Sequence, residues 1–100
     1  MAVYFISEIK EIIDPERYAL YVARIKDVVE AHGGRYLVRA ETVAPVSGDW
    51  RPQKLIVIEF PDRLAVQGCL ESEEYREIAP LREASARGRA VVAEGWRGDG

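Results

Sequence analysis

Lys54-Leu-Ile-Val-Ile-Glu-Phe60 carries the strongest strand signal in the sequence, and whatever covers its two faces decides the fold. Side chains alternate across a strand, so Leu55, Val57 and Glu59 point to one side and Ile56, Ile58 and Phe60 to the other. Both sides are largely apolar. Leaving large aliphatic groups in water forgoes about 1.5–3 kcal/mol each, so such a strand needs a covering layer on both faces.

A similar segment opens the chain. From Ala2 to Lys10, Tyr4 and Ile6 share one side and Val3, Phe5 and Ile9 the other. Asp14-Pro15-Glu16 then reads as a helix start, with Asp14 capping free amides, Pro15 suited to the first turn and Glu16 at the positive end of the dipole. The helix is predicted from Pro15 to Ala31, because Tyr18, Tyr21, Val22, Ile25, Val28 and Val29 recur at three- and four-residue spacing. His32-Gly33-Gly34 stops it, and Gly34 is expected to supply the positive φ. Arg35 to Glu41 returns as a strand, with Tyr36, Val38 and Ala40 on one face and Leu37, Arg39 and Glu41 on the other. That alternation puts a cation in mid-strand. The connection from Thr42 to Gln53 exceeds the usual hairpin loop of about two to five residues and suits a lid or a contact arm.

Beyond Phe60, Pro61-Asp62 opens a second helix with Leu64, Ala65, Cys69 and Leu70 turned inward, and Ser72 caps a further segment in the same way. Tyr75, Ile78, Leu81 and Arg82 keep helical spacing there. Pro80 is expected to kink or restart the helix, and Gly88 to end it. Arg89 to Glu94 reads as the fourth strand. One domain is expected over residues 1–96, followed by a flexible tail at 97–100. The Arg97-Gly98-Asp99 match to an adhesion tripeptide is a chance occurrence of three residues.

One hundred residues suffice for one domain but lie near the size at which a chain leans on a partner for burial. A net charge of −3 offers no electrostatic reason to expect nucleic acid or an anionic membrane as partner. No apolar run approaches the roughly 20 residues of a spanning helix, and no signal-peptide pattern opens the chain, so the expected location is cytoplasmic. Cys69 is the only cysteine and His32 the only histidine, which excludes an internal disulfide and leaves no metal-ligand spacing. Cys69 reads as a small buried apolar residue. Gly33-Gly34 follows a helix instead of opening one, the reverse of a phosphate cradle, so neither a flavin nor a dinucleotide cofactor is expected. No Ser-His-Asp triad is legible.

The order strand, helix, strand, strand, helix, strand matches a split β-α-β arrangement, a four-stranded antiparallel sheet with its helices on one face. The strands are apolar on both parities, so the open face requires cover from outside the chain. A second copy is the simplest candidate, and two sheets meeting face to face would form a homodimer with a barrel-like core.

The runs Ala31-His-Gly-Gly-Arg-Tyr-Leu-Val-Arg-Ala40, Gly48-Asp-Trp-Arg-Pro-Gln-Lys-Leu-Ile-Val-Ile-Glu-Phe-Pro61 and Ser72-Glu-Glu-Tyr-Arg-Glu-Ile-Ala-Pro-Leu-Arg82, together with Asp14-Pro-Glu-Arg-Tyr18, resemble the DUF1330 family. The resemblance implies a ferredoxin-like βαββαβ fold within the dimeric α/β barrel group, and no established activity. The chain departs from the family's pattern at Ala40, Glu41, Cys69 and Glu73, positions that bear on pocket shape more than on fold.

Five polar residues stand inside otherwise apolar segments and form the candidate ligand-binding set: His32, Arg39, Glu59, Tyr75 and Arg82, with Tyr4 or Tyr18 at the wall. Two readings are open. Arg39 and Glu59 pair across adjacent strands, His32 caps its helix, and Tyr75 and Arg82 pack and snorkel. Alternatively the set marks a pocket for a small polar or anionic molecule, with arginine as a carboxylate clamp and His32 or Glu59 as a proton carrier. The fold-level analogy with related dimeric barrels adds a second function class, a cofactor-independent monooxygenase or isomerase acting on an aromatic or lactone substrate.

Overall fold

The computed structural model describes residues 1–97. Gly98, Asp99 and Gly100, and with them most of the expected tail and of the tripeptide match, lie outside the described residues. The elements are β1 (Val3–Ile12), α1 (Pro15–Ala31), β2 (Arg35–Ala40), β3 (Lys54–Phe60), α2 (Arg63–Leu70), α3 (Glu73–Ser85) and β4 (Ala86–Glu94). All strand pairs are antiparallel and the sheet order is β2-β3-β1-β4. The strands with the longest apolar runs, β1 and β3, are the central ones.

Each helix starts on the cap its sequence advertises. Asp14 accepts from the Arg17 amide at 3.2 Å, Asp62 from the Ala65 amide at 2.8 Å and Ser72 from the Tyr75 amide at 3.1 Å. Pro80 does not restart the helix, and α3 is continuous from Glu73 to Ser85. Pro80 deprives only the Arg76 carbonyl of its amide, and both residues lie on the exposed side of the helix. Gly88 does not end α3 either. It lies within β4 opposite an irregularity in β1, where a Cβ would overlap the Glu8 carbonyl oxygen, so β4 begins three residues earlier than its apolar run suggests.

At the end of α1, the Gly34 amide bonds the Val29 carbonyl at 2.9 Å and the Gly33 amide the Glu30 carbonyl at 3.1 Å, a Schellman closure. Gly33, not Gly34, takes the positive φ, at +84°. Gly34 is needed for space instead: a Cβ there would stand 2.5 Å from Val29 Cγ1 and 3.0 Å from the Phe60 ring.

Between helices and sheet lie two core clusters. Val3, Val29, Ile58, Phe60, Val66 and Cys69 form one, Ile9, Tyr18 and Ala86 the other, and half-buried Ile56 packs against both. The opposite face of the sheet carries three rows across all four strands, by register: Arg35, Glu59, Tyr4 and Ala93; Val38, Val57, Ile6 and Val91; Ala40, Leu55, Glu8 and Arg89. The middle row is entirely β-branched. In the outer rows each carboxylate is neutralised, Glu59 by Arg35 at 2.8 Å and Glu8 by Arg89 at 2.7 Å, and each accepts a second hydrogen bond from an aromatic residue, Tyr4 and Trp50 respectively.

The long connection between β2 and β3 is pinned to β1. Trp50 donates its indole N–H to Glu8 at 2.9 Å, the Gln53 amide bonds the Ile9 carbonyl at 2.9 Å, and Pro52 is buried.

Candidate functional site

The two core clusters do not close on each other. A cavity of about 690 Å³ separates α1 and α3 from the sheet. Its floor is formed by Phe5, Ser7 and Ile9 of β1 and Ile56, Ile58 and Phe60 of β3, the parities that face the helices. Its roof is the apolar stripe of α1, where Tyr18 and Tyr21 stand with ring centroids 6.2 Å apart. Tyr75 and Arg82 enter from α3, seven residues apart on one face, and Tyr36 and Arg39 from β2.

Arg39 reaches the cavity through a β-bulge. Tyr36 pairs with Ile58 and Val38 with Val57, so Leu37 is the extra residue and the alternation of β2 shifts by one. Tyr36 and Arg39, read from the sequence as lying on opposite faces, share the helix-facing side, and the Arg39 guanidinium stands 5.2 Å from the Tyr36 ring centre. Arg39 and Glu59 therefore do not pair. Glu59 belongs to the open face of the sheet, with Arg35 and Tyr4. His32 occupies the C-cap position of α1 and is not among the cavity residues. Of the candidates, Arg39, Tyr75 and Arg82 line the cavity, as does Tyr18 at its wall, whereas His32, Glu59 and Tyr4 do not.

Sequence reasoning missed Lys54, Glu41 and Tyr21. Lys54 bonds Glu41 at 3.0 Å and stands 5.1 Å from the Tyr18 ring centre. Its parity with Ile56 and Ile58 was a legible signal, and Tyr21 follows Tyr18 by one helical turn. Glu41 had none, since its side depends on the bulge.

The electrostatics are those of a site kept cationic. Burial pushes the phenol pKa of Tyr18 and Tyr21 upward and that of Tyr36 up to about 12, so these groups remain protonated donors at neutral pH. Burial opposes the charge on Arg82, but Tyr75, Tyr21 and the Glu83 carboxylate together outweigh it, and its pKa lies above the ordinary value. Neither Arg39 nor Arg82 has a carboxylate within 4 Å among the described residues. Cys69 is buried, and desolvation raises its thiol pKa, which fits a packing residue. No three His, Cys, Asp or Glu side chains converge among the described residues, and no described helix is long and apolar enough to cross a membrane.

Sheet order, antiparallel pairing and a single helical layer define an α+β domain of the ferredoxin-like type. The chain belongs to the DUF1330 family, a domain of unknown function, which it matches over residues 2–96. Solved structures share the fold. A protein of unknown function from Rhodopseudomonas palustris is 18% identical with a TM-score of 0.80, covering 96% of this chain and 83% of its own. SnoaB, a cofactor-independent oxygenase from Streptomyces nogalater, is 13% identical with a TM-score of 0.73, covering 96% and 94%. An antibiotic biosynthesis monooxygenase is 19% identical with a TM-score of 0.56, covering 96% and 99%. Among curated proteins, none matches this sequence.

Proposed function

We propose that the protein is a cytoplasmic homodimer that binds a small polar or anionic molecule in the cavity between helices and sheet. The observation that carries this reading is a cavity of about 690 Å³ whose wall holds two guanidinium groups, Arg39 and Arg82, without carboxylate partners among the described residues. Arg82 is half-buried, and a charge partly withdrawn from water costs free energy unless it is paired or used; Arg39, exposed at the rim, adds a second guanidinium, and a ligand anion supplies the pairing. The volume lies within the range of small-molecule sites. Homodimerisation is supported by the open sheet face, where a β-branched row lies between two rows whose carboxylates are already neutralised. Such a face loses little on leaving water and gains from burial.

A thermal-shift screen against a metabolite library tests the binding reading. A ligand at a hundred times its Kd stabilises the folded state by about 2.7 kcal/mol, a readily measured rise in Tm. The expected result is a stabilising anion whose effect is lost in Arg82→Leu. A screen without stabilising ligands, or shifts indifferent to both arginines, would count against the pocket.

A second reading, a cofactor-independent monooxygenase or isomerase acting on an aromatic or lactone substrate, is favoured by the fold shared with SnoaB. The lining favours binding. His32 and Glu59, the expected proton carriers, face elsewhere, and Tyr18, Tyr21 and Tyr36 hold their protons well above neutral pH.

A further inference from the structure

The cavity's charge runs against that of the molecule around it. The chain carries a net charge of −3, yet the cavity wall presents three cations, Arg39, Lys54 and Arg82, against one carboxylate, Glu41, an excess of two. The Glu8–Arg89 pair that also borders the cavity is neutral as a unit. Lys54 is held by Glu41 at 3.0 Å, so the unused cationic capacity rests on the two arginines. Each has aromatic neighbours: Arg39 stands 5.2 Å from the Tyr36 ring centre, and Arg82 shares the cavity wall with Tyr75 and Tyr21. Lys54 stands 5.1 Å from the Tyr18 ring centre, and Arg39 and Arg82 line the same cavity, so cations of three different elements, β3, β2 and α3, border one space.

The remaining surface is of another kind. Phe5, Ile25, Ile56 and Ile58 make an apolar floor and roof, and the tyrosines turn aromatic rings toward the same space. A ligand that satisfies both parts carries its charge at one end and a flat apolar body at the other. Guanidinium is a planar fork matched to carboxylate oxygens, and aromatic walls favour offset or edge contacts with a further ring over contacts with a flexible chain. Gly33-Gly34, the one pair of adjacent glycines, closes α1 against Pro61 and Phe60 and offers no cradle of amides to a polyphosphate.

We infer that the cavity takes aromatic carboxylates, with the carboxylate held between Arg39 and Arg82 and the ring system lying on the Phe5, Ile56 and Ile58 floor. This rests on the pocket reading above and specifies its ligand class. The carboxylate replaces the missing acidic partner of two cations, and the ring fills the gap between the two core clusters.

Calorimetric titration of the full chain with three matched probes tests it: 2-naphthoate, which has both features; 2-naphthamide, which keeps the ring and loses the charge; and octanoate, which keeps the charge and loses the ring. Naphthoate is expected to bind at least tenfold tighter than either of the others. Arg39→Leu and Arg82→Leu should each weaken naphthoate about tenfold or more and leave the amide unchanged, with Arg39→Lys intermediate because it keeps the charge without the fork. Circular dichroism and the melting curve of each variant separate lost binding from lost folding, and Arg39, exposed at the rim, is the variant that should fold as the parent does. Equal affinity for naphthoate and naphthamide would overturn the anion assignment, and equal affinity for naphthoate and octanoate the aromatic one, each with the pocket intact. If none of the three binds while the library screen finds arginine-dependent ligands, the ligand class is wrong and the pocket stands. If neither gives binding, both fall.

Discussion

Glu8 is the residue on which the two sides of the sheet meet. It is only 7% exposed, yet it stays ionised because the Arg89 guanidinium donates to it at 2.7 Å and Trp50 at 2.9 Å. The Arg89 hydrogen bond is the largest influence on its pKa; burial opposes it, Trp50 assists, and the net displacement is below the ordinary 4.5. The sign of the pH dependence follows. Between the depressed folded value and 4.5 the unfolded chain binds more protons than the folded one, so stability rises with pH across that window. The contribution is complete above 4.5 and is lost as pH falls through the folded value. Glu8→Gln should therefore show a flatter Tm against pH than the parent in the acid range, with the two curves diverging above it. Parallel curves throughout would mean that Glu8 titrates normally. The same carboxylate holds the long loop through Trp50, and loosening of that loop in the variant should appear as a change in indole fluorescence.

At the level of elements, the junctions decide more than the elements themselves. The end of α1 shows how one outcome can have a different cause from the one its sequence suggests. Gly34 does not supply the left-handed residue, since Gly33 does; it is the close approach of Val29 and the Phe60 ring that leaves no room for a side chain. Gly34→Ala should cost about 1–3 kcal/mol, the usual range for overpacking a well-filled core. Chemical denaturation would measure it, and a variant as stable as the parent would show that the helix end can shift to make room. The bulge at Leu37 is the other decisive junction. Without it Arg39 would lie on the open face and Tyr36 alone would face the helices.

For the whole molecule the central question is what covers the sheet. Val38 is 37% and Val91 61% exposed in the single chain, at the two ends of a row that runs unbroken through Val57 and Ile6. A second copy would bury that row without stranding a charge, because each flanking glutamate already has its arginine. Sedimentation of the parent is expected to give a mass near twice 11.3 kDa at micromolar concentration. Val57→Glu, which sets an unpaired charge in the centre of the row, should shift it to the single-chain mass with the secondary structure retained. A parent that sediments as a monomer would leave the face to some other partner.

Much of this was written in the chain itself. The longest apolar runs, in Val3–Ile9 and Leu55–Phe60, fall in the two central strands, and Asp14, Asp62 and Ser72 mark the helix starts, because periodicity and capping are local properties. Three of the five candidate site residues, Arg39, Tyr75 and Arg82, do line the cavity. The rest was decided by tertiary contacts. An extra residue at Leu37 reverses every later assignment of side in β2, and bulges have no dependable mark in a single sequence. Glu59 goes to Arg35 because strand register, not spacing along the chain, chooses its neighbour. Gly88 looks like a helix stop and serves a close β1–β4 approach, since the same lack of a Cβ answers both needs. A pocket is one of two readings of the polar set, but its volume was not legible in the sequence, for it is the space left over when two separate clusters pack around Ile56 and do not meet.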